Sequence, residues 1–135
     1  MWRFFERRLE KIRDKLFDPI PPDFYSVEAD GMFEACIQCQ GPLFGSYIIE
    51  KHYQNGETIY EYALCQDCMG DLKEDLSKES IRAARKHIRQ HQKVKRDLSQ
   101  CAFCLLPRHE LLNFSIMGEF SGNEMFLWRT PMLLC

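Results

Sequence analysis

Along the first seventeen residues the large apolar positions are Trp2, Phe5, Leu9, Ile12 and Leu16, a 3-4-3-4 spacing that puts five side chains on one face of a helix. Asp18-Pro19 ends it, because proline cannot continue the hydrogen-bond ladder. Residues 19–35, with Ile20-Pro21-Pro22-Asp23 and Asp30-Gly31, read as an acidic linker. The pattern then turns strand-like. Ser46 to Tyr53 and Glu57 to Leu64 are rich in Tyr, Ile and Thr, and the intervening Gln54-Asn55-Gly56 suits a tight hairpin turn. From Asp67 to about Arg96 the spacing of Met69, Leu72, Leu76, Ala83, Ile88 and Val94 is helical, with Ser77 able to cap a second helix after a short break. Beyond it come two more apolar runs, Leu111 to Met117 and Glu124 to Trp128, separated by Ser121-Gly122-Asn123.

At 135 residues and 45% apolar content, the chain suits one small domain and excludes a large multidomain enzyme. No cleavable leader and no run of eighteen uncharged apolar residues is visible, so a soluble, cytoplasmic protein is expected. Charge is unevenly spread. Residues 78–96 carry eight cations against Glu79, a net of +7, which leaves −9 elsewhere in a chain of net charge −2. Such a segment can attract phosphate through Arg82, Arg85, Lys86, Arg89, Lys93, Lys95 and Arg96, or it can be a solvated or self-paired helix face.

Seven cysteines in a reducing compartment point to metal rather than disulfides. Cys36-Ile-Gln-Cys39 and Cys65-Gln-Asp-Cys68 are two CxxC pairs flanking the predicted hairpin, 25 residues apart. Two thiolates three positions apart on a turn can face one ion, and two such turns complete the four-sulfur tetrahedron that zinc favours. Gly41 and Gly70, two residues after each pair, are expected to ease the bend. A redox CxxC would need an adjoining βαβ pattern, which is absent.

A CxxC knuckle, a hairpin and a second CxxC opening a helix together resemble a treble-clef zinc finger, over about residues 36–96, with a simple zinc ribbon as the near alternative. The resemblance implies a scaffold and no single activity. Some treble clefs are HNH-type nucleases, whose pattern expects an Asp-His pair on the first strand and His or Asn after the second knuckle. Here those places hold Lys51-His52 and Met69, which removes the groups that would hold a catalytic metal and activate water.

A second unit follows. Cys101-Ala-Phe-Cys104, the two apolar runs and Leu134-Cys135 parallel the first unit, and 30 residues separate Cys104 from Cys135. Three thiolates leave a tetrahedron one ligand short. His109, the terminal carboxylate, a cysteine of another subunit, water, or a residue beyond Cys135 could supply it, or the three thiols could be ordinary buried groups. His87 and His91, four apart on the basic helix, share a face but lack the glutamate of a zinc-protease motif.

The expected fold is a small zinc-stabilised α+β protein: amphipathic helix (1–18), linker (19–35), four-cysteine module with basic helix (36–98), and a degenerate second finger (99–135). One zinc is expected and a second is possible. The expected function is a non-enzymatic protein-interaction or regulatory adaptor, with a protein partner or homo-oligomer. Nucleic-acid binding through residues 78–96 is the alternative. The N-terminal helix is expected to dock on the domain, with a partner contact or a membrane surface as its other uses.

Overall fold

The computed structural model describes residues 2–127 and 130–135, apart from the side chains of Trp2, Ile12 and Asp14. Trp128, expected in the last strand, and the side chains of Trp2 and Ile12 on the first helix therefore lie outside the described residues.

The elements run in the order α1 (Trp2–Leu16), β1 (Phe17–Pro19), β2 (Ser46–Gln54), β3 (Glu57–Cys65), α2 (Gln66–Glu74), α3 (Lys78–His91), β4 (Asp97–Cys101), β5 (Asn113–Ser121), β6 (Glu124–Phe126) and β7 (Met132–Leu134). Short 3-10 turns occupy Pro22–Phe24 and Arg108–Glu110. The sheet order is β1-β6-β5-β2-β3, while β7 also pairs with β5 and carries β4 alongside in parallel.

The sheet is built around one pairing. β2 and β5 lie antiparallel over nine residue pairs, from Ser46 opposite Ser121 to Gln54 opposite Asn113. Each is the first long strand of its unit, so the two units face each other about the midpoint, Glu50 opposite Met117. The ends match. Tyr47, second in β2, stacks on Phe120 with ring centroids 5.5 Å apart, and Phe114, second in β5, stacks on Tyr53 at 4.9 Å. Offset aromatic pairs across strands stabilise beyond the area they bury.

Alternation sets which face is buried. In β5 Phe114, Ile116, Gly118 and Phe120 are buried and their neighbours are not, the period of two that a strand imposes. With Ile20, Phe24, Tyr47, Ile49, Ala63, Cys101, Met125 and Leu133, the three buried side chains of that strand form the main core. This core spans both units. Residues 19–35, expected to be a linker, contribute Ile20 and Phe24 to it, so that segment is a strap across the sheet.

Further along the strap, Glu61 takes hydrogen bonds from Ser26 Oγ at 3.0 Å and the Val27 amide at 2.8 Å. Lys51, 4% exposed, lies 3.3 Å from the other Glu61 oxygen and donates to the Tyr25 carbonyl at 2.6 Å. A buried ammonium persists only with such partners. His52 faces Glu50 at 3.0 Å and Ser115 Oγ at 2.8 Å. The Lys51-His52 pair that broke the nuclease pattern thus serves the sheet.

In the first unit one continuous strand, β3, returns along β2 after the Asn55-Gly56 turn. In the second that return is split: β6 pairs with Glu119–Ser121 and β7 with Ser115–Met117. Thr130 Oγ1 bridges the gap, accepting from the Glu119 amide and donating to the Phe126 carbonyl, both at 3.3 Å.

The helices depart from expectation. Ser77 caps α3 by accepting from the Ser80 amide at 3.0 Å, so the helical stretch breaks in two at the cap the sequence offered, but the second helix ends at His91 rather than near Arg96. Among the described residues, α1 is anchored near its C-terminal end, through Arg13 to Glu124 at 2.8 Å and the Leu127 amide to the Leu16 carbonyl at 2.6 Å. On its apolar face Leu16 is half-buried, but Phe5 is 54% and Leu9 65% exposed, so these two are not docked.

Candidate metal centres

The first unit brings the thiols of Cys36, Cys39, Cys65 and Cys68 within 4.8 Å of one another. Cys39 Sγ and Cys65 Sγ are 3.8 Å apart. A tetrahedron with metal–sulfur bonds of about 2.3 Å has sulfur–sulfur edges of about 3.8 Å, so the spacing fits a four-thiolate metal site. All seven cysteines are unbridged.

Each part of the site is placed by local chemistry. Cys36 starts a turn closed by two backbone bonds, its amide to Gly41 O and the Gln40 amide to Cys36 O, both 2.9 Å. Cys65 ends β3 and takes the N-cap position of α2, its sulfur accepting from the Cys68 amide at 3.5 Å. A thiolate suits that position, where orphan amides and the helix dipole favour negative charge. Burial alone would push the Cys36 thiol up, but amides of Cys65, Cys39 and Gln38 aimed at its sulfur hold it down to about 6. Cys68 shifts upward, by burial first and then by the neighbouring sulfurs. Four thiols packed this closely need a cation to ionise together, and that is the chemistry of the donor set.

The second unit repeats the geometry bond for bond. Cys101 donates to Leu106 O at 2.9 Å and Leu105 to Cys101 O at 3.0 Å, closing the same turn. Gln40 and Leu105 hold the left-handed position, with φ of 60° and 64°. The left-handed turn position is thus not held by glycine; at Gly41 an added Cβ would lie 3.3 Å from Cys39 Sγ, so glycine does ease the approach to that sulfur, whereas at Gly70 it would meet nothing within 4 Å. Pro42 and Pro107 each sit six residues after the first cysteine and bridge back to Ala35 and Gln100. A shared CxxCxxP was legible in the sequence and would have strengthened the duplication.

Cys101, Cys104 and Cys135 also lie within 4.8 Å of one another, with Cys135 Sγ 3.4 Å from Cys101 and 3.6 Å from Cys104. Against burial, amides of Cys104, Cys135 and Phe103 hold Cys101 down to about 6, the same three positions that act on Cys36. The sulfurs of Cys101 and Cys104 raise Cys135 to about 11, with burial adding to the shift. His109 lies exposed on the turn Arg108–Glu110 and is not among the residues of this group. Among the described residues, no fourth His, Cys, Asp or Glu joins it.

The two groups sit at opposite ends of the central strand pair. Tyr47 faces Cys65, while His52 faces Ser115, itself opposite Leu134. Five steps of strand from Tyr47 to His52 put about 17 Å between the two ends.

The remaining predicted residues are placed but not gathered into a site. Arg82, Arg85, Lys86 and Arg89 are exposed on α3, and Lys93, Lys95 and Arg96 on the chain after it. None takes part in the ion pairs among the described residues. His87 and His91 have ring centroids 4.5 Å apart, and His87 lies 6.1 Å from Phe103 of the second knuckle.

No family model, curated protein or solved structure matches the chain.

Proposed function

We propose that both cysteine groups hold zinc and that the protein is a non-enzymatic interaction module, a sheet clasped by metal at two ends that presents its helices to a protein partner. The order knuckle, hairpin and cysteine-capped helix supports a treble-clef reading of residues 36–74. Seven unbridged cysteines support a reducing compartment such as the cytoplasm.

One observation carries the adaptor reading. α2 is entered through the metal-site residues Cys65 and Cys68, and Leu72 within it and Leu76 in the bend that follows stand 47% and 57% exposed. Large apolar groups left open at the end of a helix form the kind of anchor that partner proteins bury. The four-thiol shell of the first group, closed without a site for water, supports a structural metal over a catalytic one there.

The test uses the full zinc-loaded protein. A stoichiometric partner, or a homodimer seen by light scattering, is expected to be lost on Leu72→Ser with Leu76→Ser and on chelation. A strict monomer that retains no partner overturns the reading.

A second reading is nucleic-acid binding, favoured by the seven exposed cations of residues 82–96, none of which is in an ion pair among the described residues. Phosphate contacts release counterions, so binding would fall steeply with salt. A filter-binding titration that shows no binding at low salt, or salt-insensitive binding, removes it.

A further inference from the structure

We infer that α1 is a reversible anchor for an anionic lipid surface. This goes beyond the adaptor reading and does not rest on it.

Three properties of the helix converge. At its described N-terminal positions the apolar stripe is open, with Phe5 54% and Leu9 65% exposed, and Phe4 beside it is 69% exposed. In water, side chains of that size left uncovered forfeit the burial that usually holds a helix to its domain. Its polar face is basic: six cations, Arg3, Arg7, Arg8, Lys11, Arg13 and Lys15, against three acids, a net of +3. Finally, the contacts that tie it down among the described residues lie toward its C-terminal end, the Arg13–Glu124 pair and the Leu127–Leu16 bond, while Phe4, Phe5 and Leu9 toward its N-terminal end are exposed. Aromatic and leucine side chains on one face with Lys and Arg on the other is the composition of a helix that lies in the headgroup plane.

Size and charge decide between occupants. Fifteen residues make a helix about 22 Å long and about 10 Å wide. Pairing it with its equivalent in a second copy would cover only about 450 Å², well under the roughly 1,000 Å² a stable interface needs, and would set two cationic faces side by side. A lipid surface has no such area limit, and anionic headgroups complement the cations. Among the described residues, no helix is long and apolar enough to cross a membrane, so the contact is peripheral.

The test is vesicle co-sedimentation of the full zinc-loaded protein. Vesicles of phosphatidylcholine with one-third phosphatidylserine are expected to carry it down, and pure phosphatidylcholine to carry down much less. Phe5→Ser with Leu9→Ser is expected to weaken binding at least about tenfold, since each side chain inserts a large apolar area. Both positions are exposed, so melting temperature and zinc content should not change. Arg7→Glu with Arg8→Glu keeps the stripe and reverses the charge; it is expected to abolish the preference for phosphatidylserine. The inference is overturned if the protein stays in the supernatant with phosphatidylserine vesicles, or binds both vesicles equally. It is overturned equally if binding survives Phe5→Ser with Leu9→Ser, or if light scattering shows a dimer that this variant converts to monomer.

Discussion

The backbone amide of Ala102 donates to the carbonyl of Leu133 at 2.8 Å, joining the residue after Cys101 to the residue two before Cys135. In the first unit Ile37 makes the same bond to Ala63, at 2.9 Å, between the residue after Cys36 and the one two before Cys65. A bond at equivalent positions in two sequences that share little else fixes the distance from knuckle to final cysteine. It is what gathers Cys135 to Cys101 and Cys104 even though the second unit breaks its return strand.

The two metal ends should not be equally dependent on metal. Around the first site only Cys36, Leu64 and Cys68 are buried together, whereas Cys101 belongs to the main core. Structural zinc contributes about 10–16 kcal/mol in small peptides, and little packing backs it up here. Cys39→Ser is therefore expected to raise amide exchange in the knuckle, residues 36–41, and in α2, while the β2–β5 pair keeps its protection. Uniform loss of protection along the chain would show that the core does not stand apart from the metal.

Gly118 is a packing glycine. A Cβ there would fall 2.8 Å from Phe120 Cζ and 3.1 Å from Phe24 Cζ, both rings being fully buried. Gly118→Ala is expected to cost about 1–3 kcal/mol in urea unfolding, as overpacked cores do. A neutral or stabilising change would mean that the strap carrying Phe24 yields easily.

The Glu61 carboxyl is held below its ordinary value: burial would raise it, but Ser26, the Glu28 amide and Lys51 outweigh that. A depressed carboxylate adds stability above its unfolded pKa of about 4.3, and that stability drains as pH falls through the lower folded value. Glu61→Gln, which also strands the buried Lys51, is expected to cost about 3–5 kcal/mol at neutral pH. The gap between the two proteins should narrow below about pH 4.3. Because acid also strips thiolate-bound metal, the difference between the two proteins is the quantity to follow; a gap independent of pH would assign the cost to packing alone.

What the sequence disclosed was local. Cysteine spacing, the Asn55-Gly56 turn, the Ser77 cap and the restart at Cys101 are short-range signals, and the structure places each of them. The pairing of β2 with β5 was not legible, because Tyr47 meets Phe120 across more than seventy positions and alternation says which face is buried, not which strand lies beside it. The strap was misleading for a related reason. Its prolines and acids read as linker, yet Phe24 and Ile20 enter the core and Glu61 and Lys51 hold Ser26, Val27 and Tyr25. α1 was amphipathic as expected, but periodicity cannot tell a face that is covered from one that is open.

The central claim is that the chain is two knuckle units facing each other across β2 and β5, each with its own zinc. Elemental analysis of protein purified without added metal tests it most directly. Two zinc ions per chain are expected, falling to one in Cys39→Ser and to one in Cys104→Ser. One ion per chain that survives Cys104→Ser, or no zinc at all, would contradict it.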